Sequence, residues 1–382
     1  MSTLLQLPPE ICAVICEDVE QADLLALCRI SRLFRDQAQR LIYRTVDLRK
    51  SGQRGFDSWC LAVTKHPQLA QRVHTLSLRL AGDISLSSDA AKLARVLGRC
   101  LNLKELHIYA NSTDRMYEPV LLSIQGWIIT KCPFKLTKFT NGYFRNSFIS
   151  QFWTAQPEIR VLSLPICDDR FPCYDDQLPH LVALEVGSPS ALPVDRALQR
   201  VQLRLRRSGE RLERLSALNR YAPTLTTLNL VQMDFTDRMT YTTLEVFRQV
   251  AQAVPALRHF GIAEVGEKPI AIFEEEFSVS DAMIKFTHLE TFVFYSKSIV
   301  AFRDLVNHRY ALDNEQGLLG LGMDIMANCP TLRRAVVGAR KYDQPFTDNR
   351  WNPNYSDLVW TLTRSTAGGE IEADRHTDDA PL

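Results

Sequence analysis

The chain has 382 residues, 46% of them apolar and 23% charged, the balance of a folded protein, which excludes wholesale disorder. Forty-five basic residues against 44 acidic ones leave a net charge of +1, without the electrostatic footprint of a nucleic-acid or membrane-surface binder. At roughly 100–200 residues per domain the length predicts two or three units or one elongated repeat array, and a leucine share of roughly one residue in eight favours helical or solenoid packing. The first residues lack a basic stretch, and Pro8, Pro9 and Glu10 interrupt any apolar one, so no signal peptide is expected. The uncharged run from Pro119 to Thr130 falls short of the ~18–20 residues of a spanning helix. Nine scattered cysteines include no C-x-x-C pair, so neither zinc nor redox chemistry is signalled. The expected compartment is the reducing cytosol or nucleus, with no membrane contact.

Leu7-Pro8-Pro9-Glu10 reads as a helix start, followed by an apolar stripe of Ile11, Ile15 and Val19 with Cys12 and Cys16 beside it. Asp23 is suited to cap a second helix with Leu24, Leu27, Cys28 and Ile30 on its buried side. Ser31 opens a third segment carrying Leu33, Phe34, Ala38, Leu41 and Ile42. Three helices within residues 1–50 enclose little core, and size alone implies a partner surface. The ordered set Leu7-Pro8-x-Glu10, Ile15, Val19, Asp23-Leu24-Leu25, Cys28, Ser31-Arg32 and Phe34-Arg35, continued by residues 41–48 (LIYRTVDL), resembles the F-box motif in its fungal form. The resemblance covers about 45 residues and implies docking on a Skp-family adaptor, and through it on a cullin scaffold, by Leu7, Pro8, Ile11, Ile15, Leu24 and Leu25.

From residue 51 a short pattern, apolar-x-x-apolar-x-apolar, recurs from Val73, Leu103, Ile159, Leu181, Leu225, Leu257, Leu289 and Leu332, with a weaker copy from Leu136. Helical stretches ending in small, often proline-bearing breaks such as Lys131-Cys132-Pro133, Ala253-Val254-Pro255 and Asn328-Cys329-Pro330 precede several of the copies. The unit of helix, break and short strand resembles leucine-rich repeats, although the asparagine or cysteine position of that consensus is not kept. One strand–helix pair cannot bury its own apolar face, but stacked neighbours make a continuous core. The fold class expected is therefore α/β: an N-terminal three-helix F-box-like unit (1–50) and an irregular leucine-rich-repeat solenoid (51–363), with short parallel strands on the concave side and helices on the convex side. Positions pointing away from the core place Glu105, His107, Tyr109, Lys138, Glu185, Asn229, His259, Tyr295 and Arg334 on a protein-binding face of mixed charge.

Other features carry less. Arg196, Arg200, Arg204, Arg207, Arg211 and Arg214 would form one basic stripe on a helix, but interleaved Glu210 and Glu213 favour a solvated face, and the segment fills the longest gap between repeats, where a hidden copy is plausible. Asp168-Asp169 and Asp175-Asp176 lie in a proline-containing loop with nothing to fix a geometry. Gly317, Gly320 and Gly322 fit close packing of a repeat helix rather than a nucleotide loop. No H-E-x-x-H or G-x-S-x-G is present, so the sequence offers no positive case for catalysis, a metal or a cofactor. Trp351, Tyr355, Leu358, Val359 and Trp360 are expected to fold back as a cap, and residues 364–382 read as a disordered polar tail. The function implied by the resemblance is that of a non-catalytic substrate receptor in an SCF-type ubiquitin ligase, with the solenoid binding a substrate protein. The alternative is a repeat scaffold that binds a protein partner without any ligase.

Overall fold

The computed structural model describes residues 7–81, 87–111, 123–165, 171, 174, 176–206, 212–233, 243–264, 282–296, 315–342, 355–366 and 369–376. The protein is α/β, and the described residues form thirteen strands, numbered in chain order and mostly parallel, together with helices. It divides into two compact units, Met1–Leu164 with Pro172–Leu181, and Pro165–Phe171 with Val182–Leu382.

The first unit begins with α1 (Pro9–Glu17), α2 (Gln21–Leu27) and α3 (Arg32–Arg44). Proline opens α1, where a missing N–H costs nothing, and the Ser31 hydroxyl caps α3 by accepting from Phe34 N at 3.2 Å. Asp23 lies in the first turn of α2 and does not cap it. The small core is Cys12, Cys16, Leu24, Phe34 and Ala38, edged by Leu7, Ile15, Val19, Leu27 and Cys28. The buried side of α1 is centred on its two cysteines, with Ile15 and Val19 at the edge of the core. Ile30, expected on the buried side of the second helix, faces outward, and so does Ile11.

Helix α3 runs directly into β1 (Thr45–Asp47), so no linker marks residue 50, and Arg72 donates to Asp36 O at 3.0 Å to fix α3 to the following segment. Four parallel strands follow: β2 (Thr75–Ala81), β3 (Glu105–Asn111), β4 (Lys138–Gly142) and β5 (Val161–Leu164). Register aligns Val46, Leu76, Leu106, Phe139 and Leu162 in one buried row. Period-two alternation puts these side chains on one face. Helix Gly52–Lys65 buries Phe56, Trp59, Cys60 and Val63 at i, i+3, i+4 and i+7, and helix Ser87–Leu97 buries Ala90, Leu93, Val96 and Leu97 at i, i+3, i+6 and i+7. Phe139 packs on Phe152 and Trp153, with centroids 5.0 and 5.9 Å away. Buried Gln156 closes one break, donating to Phe134 O at 2.9 Å and accepting from Leu136 N at 2.8 Å. Burial pushes the Cys60, Cys100 and Cys132 thiols up to about 12, which keeps them protonated and inert.

The second unit carries β6 (Ala183–Val186), β7 (Arg200–Arg206), β8 (Thr227–Met233), β9 (His259–Glu264), β10 (Thr291–Ser296) and β11 (Arg334–Tyr342), all parallel. Antiparallel β12 (Tyr355–Arg364) and β13 (Ile371–His376) then close the edge. Leu184, Val201, Leu228, Phe260, Phe292, Ala335 and Leu362 form the buried row, with Phe247 edge-on to Phe260 and Phe292 at 5.7 and 5.6 Å. Of the inserted helix and the hidden repeat open to the arginine-rich segment, β7 is the repeat: Leu198, Val201 and Leu203 turn inward while Arg200 and Arg204 fall on the opposite face. Arg207 and Arg211 lie outside the described residues, as do Asp168, Asp169, Asp175 and Trp351. Gly322 is where the helix Glu315–Asn328 meets the sheet: a Cβ there would lie 2.5 Å from Leu362 Cδ1, the close packing its sequence suggested.

One backbone contact recurs in both units. The carbonyl just before a strand accepts two consecutive N–H groups from the next repeat: His74 O from Lys104 and Glu105, Lys104 O from Thr137 and Lys138, Thr137 O from Arg160 and Val161. In the second unit Val182 O, Gln199 O, Thr226 O, Arg258 O and Glu290 O do the same for the strands beginning at Arg200, Thr227, His259, Thr291 and Arg334.

The tail expected to be disordered from residue 364 contains the end of β12 at Arg364 and the strand β13 at Ile371–His376. Arg364 is buried at the end of β12 and donates to Met326 O at 2.8 Å and to Cys329 O and Pro330 O at 3.4 Å, satisfying carbonyls at the C-terminal end of the preceding helix. Replacing Arg364 by alanine is expected to destabilise the second unit by about 2 kcal/mol, the scale of a charge-assisted hydrogen bond with its acceptors left unpaired. Urea unfolding followed by tryptophan fluorescence checks this, and a midpoint equal to the parent's would show the cap to be dispensable.

Candidate functional site

Rows of outward residues follow from the same register. In the first unit Asp47, Ser77, His107, Thr140 and Ser163 stand side by side across five strands, and Glu105 is the register partner of Lys138. His107 is buried, with Nδ1 hydrogen-bonded to Thr140 Oγ1 at 2.8 Å and Nε2 3.6 Å from Glu105 Oε2. Lys138 Nζ lies 3.9 Å from the same carboxylate oxygen. Arg49, just beyond β1, grips Asp47 through Nε to Oδ1 at 3.0 Å and Nη2 to Oδ2 at 2.6 Å, and its guanidinium also meets Tyr109. The Arg49 hydrogen bonds hold the Asp47 carboxyl below the usual carboxylate range.

The structure therefore gathers Glu105, His107, Tyr109 and Lys138 onto one face, as their spacing predicts. Sequence reading missed Asp47, Arg49 and Thr140, which approach only through pairing between strands tens of residues apart. Hydroxyl, imidazole and carboxylate occur in the order of a nucleophilic relay, but the outer contact of 3.6 Å is too long for a hydrogen bond and the Thr140 hydroxyl is buried. What these groups do is hold the ring, so that the face presents a fixed polar surface of both signs.

The other candidates belong to the second unit. Glu185 is paired with Arg204 at 2.6 Å and is mostly covered. Asn229, two strands away in the same row, is exposed and leans over Gly261, where a Cβ would come within 2.6 Å of Asn229 Oδ1. His259 and Arg334 share a different row and are exposed, and Tyr295 is half-buried in a third. A signal for the rest of that face was present in residues 198–203, LQRVQL, which match the repeat pattern and place Arg200 in the row of His259 and Arg334.

On the N-terminal helices Leu24 is core, 5% exposed, and Leu7 and Ile15 are half-buried against that core. Pro8, Ile11 and Leu25 are exposed, and Val14 and Ile30, which the sequence reading did not choose, join them. Among the described residues no His, Cys, Asp and Glu group could hold a metal ion, and no helix is long and apolar enough to cross a membrane. No protein-family model matches the chain, and no curated protein matches it either.

Burial lowers the His107 pKa, the Lys138 charge adds to this, and Glu105 opposes it. A histidine that binds protons less well folded than unfolded contributes stability that is present above the unfolded value, ~6.5, and is lost as pH falls. Proton NMR of the His107 ring is expected to give a midpoint below that value. His107→Gln should flatten the loss of stability between pH 7 and pH 5, whereas an unchanged slope would mean that the ring is hydrated.

Proposed function

We propose that the protein is a substrate receptor of an SCF-type ubiquitin ligase, its N-terminal helices docking on a Skp-family adaptor and its strand–helix repeats holding the substrate protein. The observation that carries this reading is the exposure of Ile11 (45%), Val14 (55%), Leu25 (58%) and Ile30 (54%) on a helical segment with only five buried core residues. Ile11 and Val14, three residues apart, share one face of α1. Large aliphatic side chains left outward on so small a unit suit burial by a partner. The resemblance of residues 7–48 to the F-box motif names the class of partner. The repeats supply outward rows whose spacing the backbone fixes, so a substrate is held in orientation as well as in proximity to a ligase, which raises its effective concentration there. In this reading the protein is non-catalytic and acts in the cytosol or nucleus.

The double variant Ile11→Asp, Leu25→Asp tests it. Both side chains are exposed, so helicity should persist while affinity for a purified Skp-family adaptor falls about a hundredfold, as for two apolar anchors of ~1–2 kcal/mol each. Leu24→Ala should instead loosen the helices by ~2–4 kcal/mol through the cavity it leaves. Absence of adaptor binding by the folded parent would overturn the receptor reading and leave a repeat scaffold.

A further inference from the structure

The row that holds His259 and Arg334 is longer than those two residues. Register aligns Ala183, Arg200, Thr227, His259, Thr291, Arg334, Thr363 and Glu372 across β6 to β13. From β7 to β12 it alternates strictly between a basic or imidazole side chain and threonine. Arg200, His259 and Arg334 are exposed, and among the described residues none of the three has an ion-pair partner. Strands lie about 4.7–4.9 Å apart, so the three groups recur every ~9.5 Å along a line across the strands. A polyproline II chain rises ~3.1 Å per residue with three residues per turn, so every third side chain returns to one side after ~9.3 Å. The two periods agree.

We propose that the outer face of the second unit binds an extended acidic peptide segment in polyproline II form, whose carboxylates at every third residue meet Arg200, His259 and Arg334. The guanidinium groups can pair with carboxylates in two-point fashion, and the threonines between them leave a flat, β-branched floor for intervening residues. Val293, exposed one row further along the strands, extends that floor with apolar area. The row is bounded by Ala183 at one end and by Glu372 at the other, whose carboxylate repels an anion running further. Three positions between such ends suit a short peptide rather than a nucleic-acid strand, whose binding grows with the number of phosphates neutralised. The inference deepens the receptor reading by giving the substrate's chemistry, and rests on that reading only for what binding achieves.

The test uses the full chain and fluorescence anisotropy with a labelled peptide, Glu-Pro-Pro-Glu-Pro-Pro-Glu, against Glu-Glu-Glu-Pro-Pro-Pro-Pro of the same composition. The spaced peptide should bind about tenfold more tightly. Arg200→Gln and Arg334→Gln should each weaken it about fivefold, and together about twenty-five-fold, as for partly exposed charge pairs. Equal binding of the two peptides, or no loss in the double variant, overturns the proposal. So does an oligothymidylate that binds more tightly than the spaced peptide and is lost in the same variant. Adaptor co-purification is run on the same samples: its failure with spaced-peptide binding intact sinks the receptor reading alone, and the converse sinks the acidic-peptide proposal alone.

Discussion

A carbonyl that accepts two successive N–H groups from the next repeat is the contact on which everything else in this protein depends. Eight carbonyls, from His74 O to Glu290 O, make it. The two N–H donors are backbone groups, joined at Lys104 O and Gln199 O by the Thr137 and Thr226 hydroxyls, so the contact forms with histidine, valine, glutamine, threonine or arginine at the acceptor position. Because it sits at the start of a strand it sets the register of the whole ladder, and a slip of one residue would turn every leucine outward. The buried rows and the outward rows are two readings of that one constraint.

Much of the fold was legible because inward positions need apolar side chains whatever lies between them. Pairs such as Leu76 and Leu78, Leu228 and Leu230, or Phe292 and Phe294 announce their strands locally. Strand β7 was obscured because Arg196, Arg200 and Arg204 at steps of four suit a helix, while the even spacing of Arg200, Gln202 and Arg204 between Val201, Leu203 and Leu205 suits a strand equally. The apolar alternation decides, since it alone buries area. The C-terminal residues misled for the opposite reason. An edge strand such as β13 needs backbone pairing along one side, which a charged sequence can supply, and its charges keep the free edge from pairing further.

The sites were legible only where they lie within one strand. Glu105, His107 and Tyr109 declare a shared face by alternation, but Thr140 comes to His107 from 33 residues away. On the N-terminal helices the aliphatic stripe and the cysteine stripe of α1 compete for the core, and the pattern alone does not rank them. Packing does: Cys12 and Cys16 fit against Phe34 and Ala38, which leaves Ile11 and Val14 to the outside. Function at the surface and stability in the core are thereby assigned to adjacent residues of one helix.

The antiparallel end of the second unit also determines how that unit yields to force. Load applied through the C-terminus meets β13 first, and pulls on its pairs with β12 one after another rather than all together, so the strand peels like a zipper at low tension. Strand β12 follows in the same way, from Arg364 toward Tyr355. Beyond it each parallel strand is released with the whole segment that joins it to its neighbour. The 43 residues from Thr291 to Arg334 would lengthen the chain by about 145 Å, and the 27 from Arg200 to Thr227 by about 90 Å. The unequal repeats thus make the unit a ratchet with unequal teeth, each giving way with its own stride.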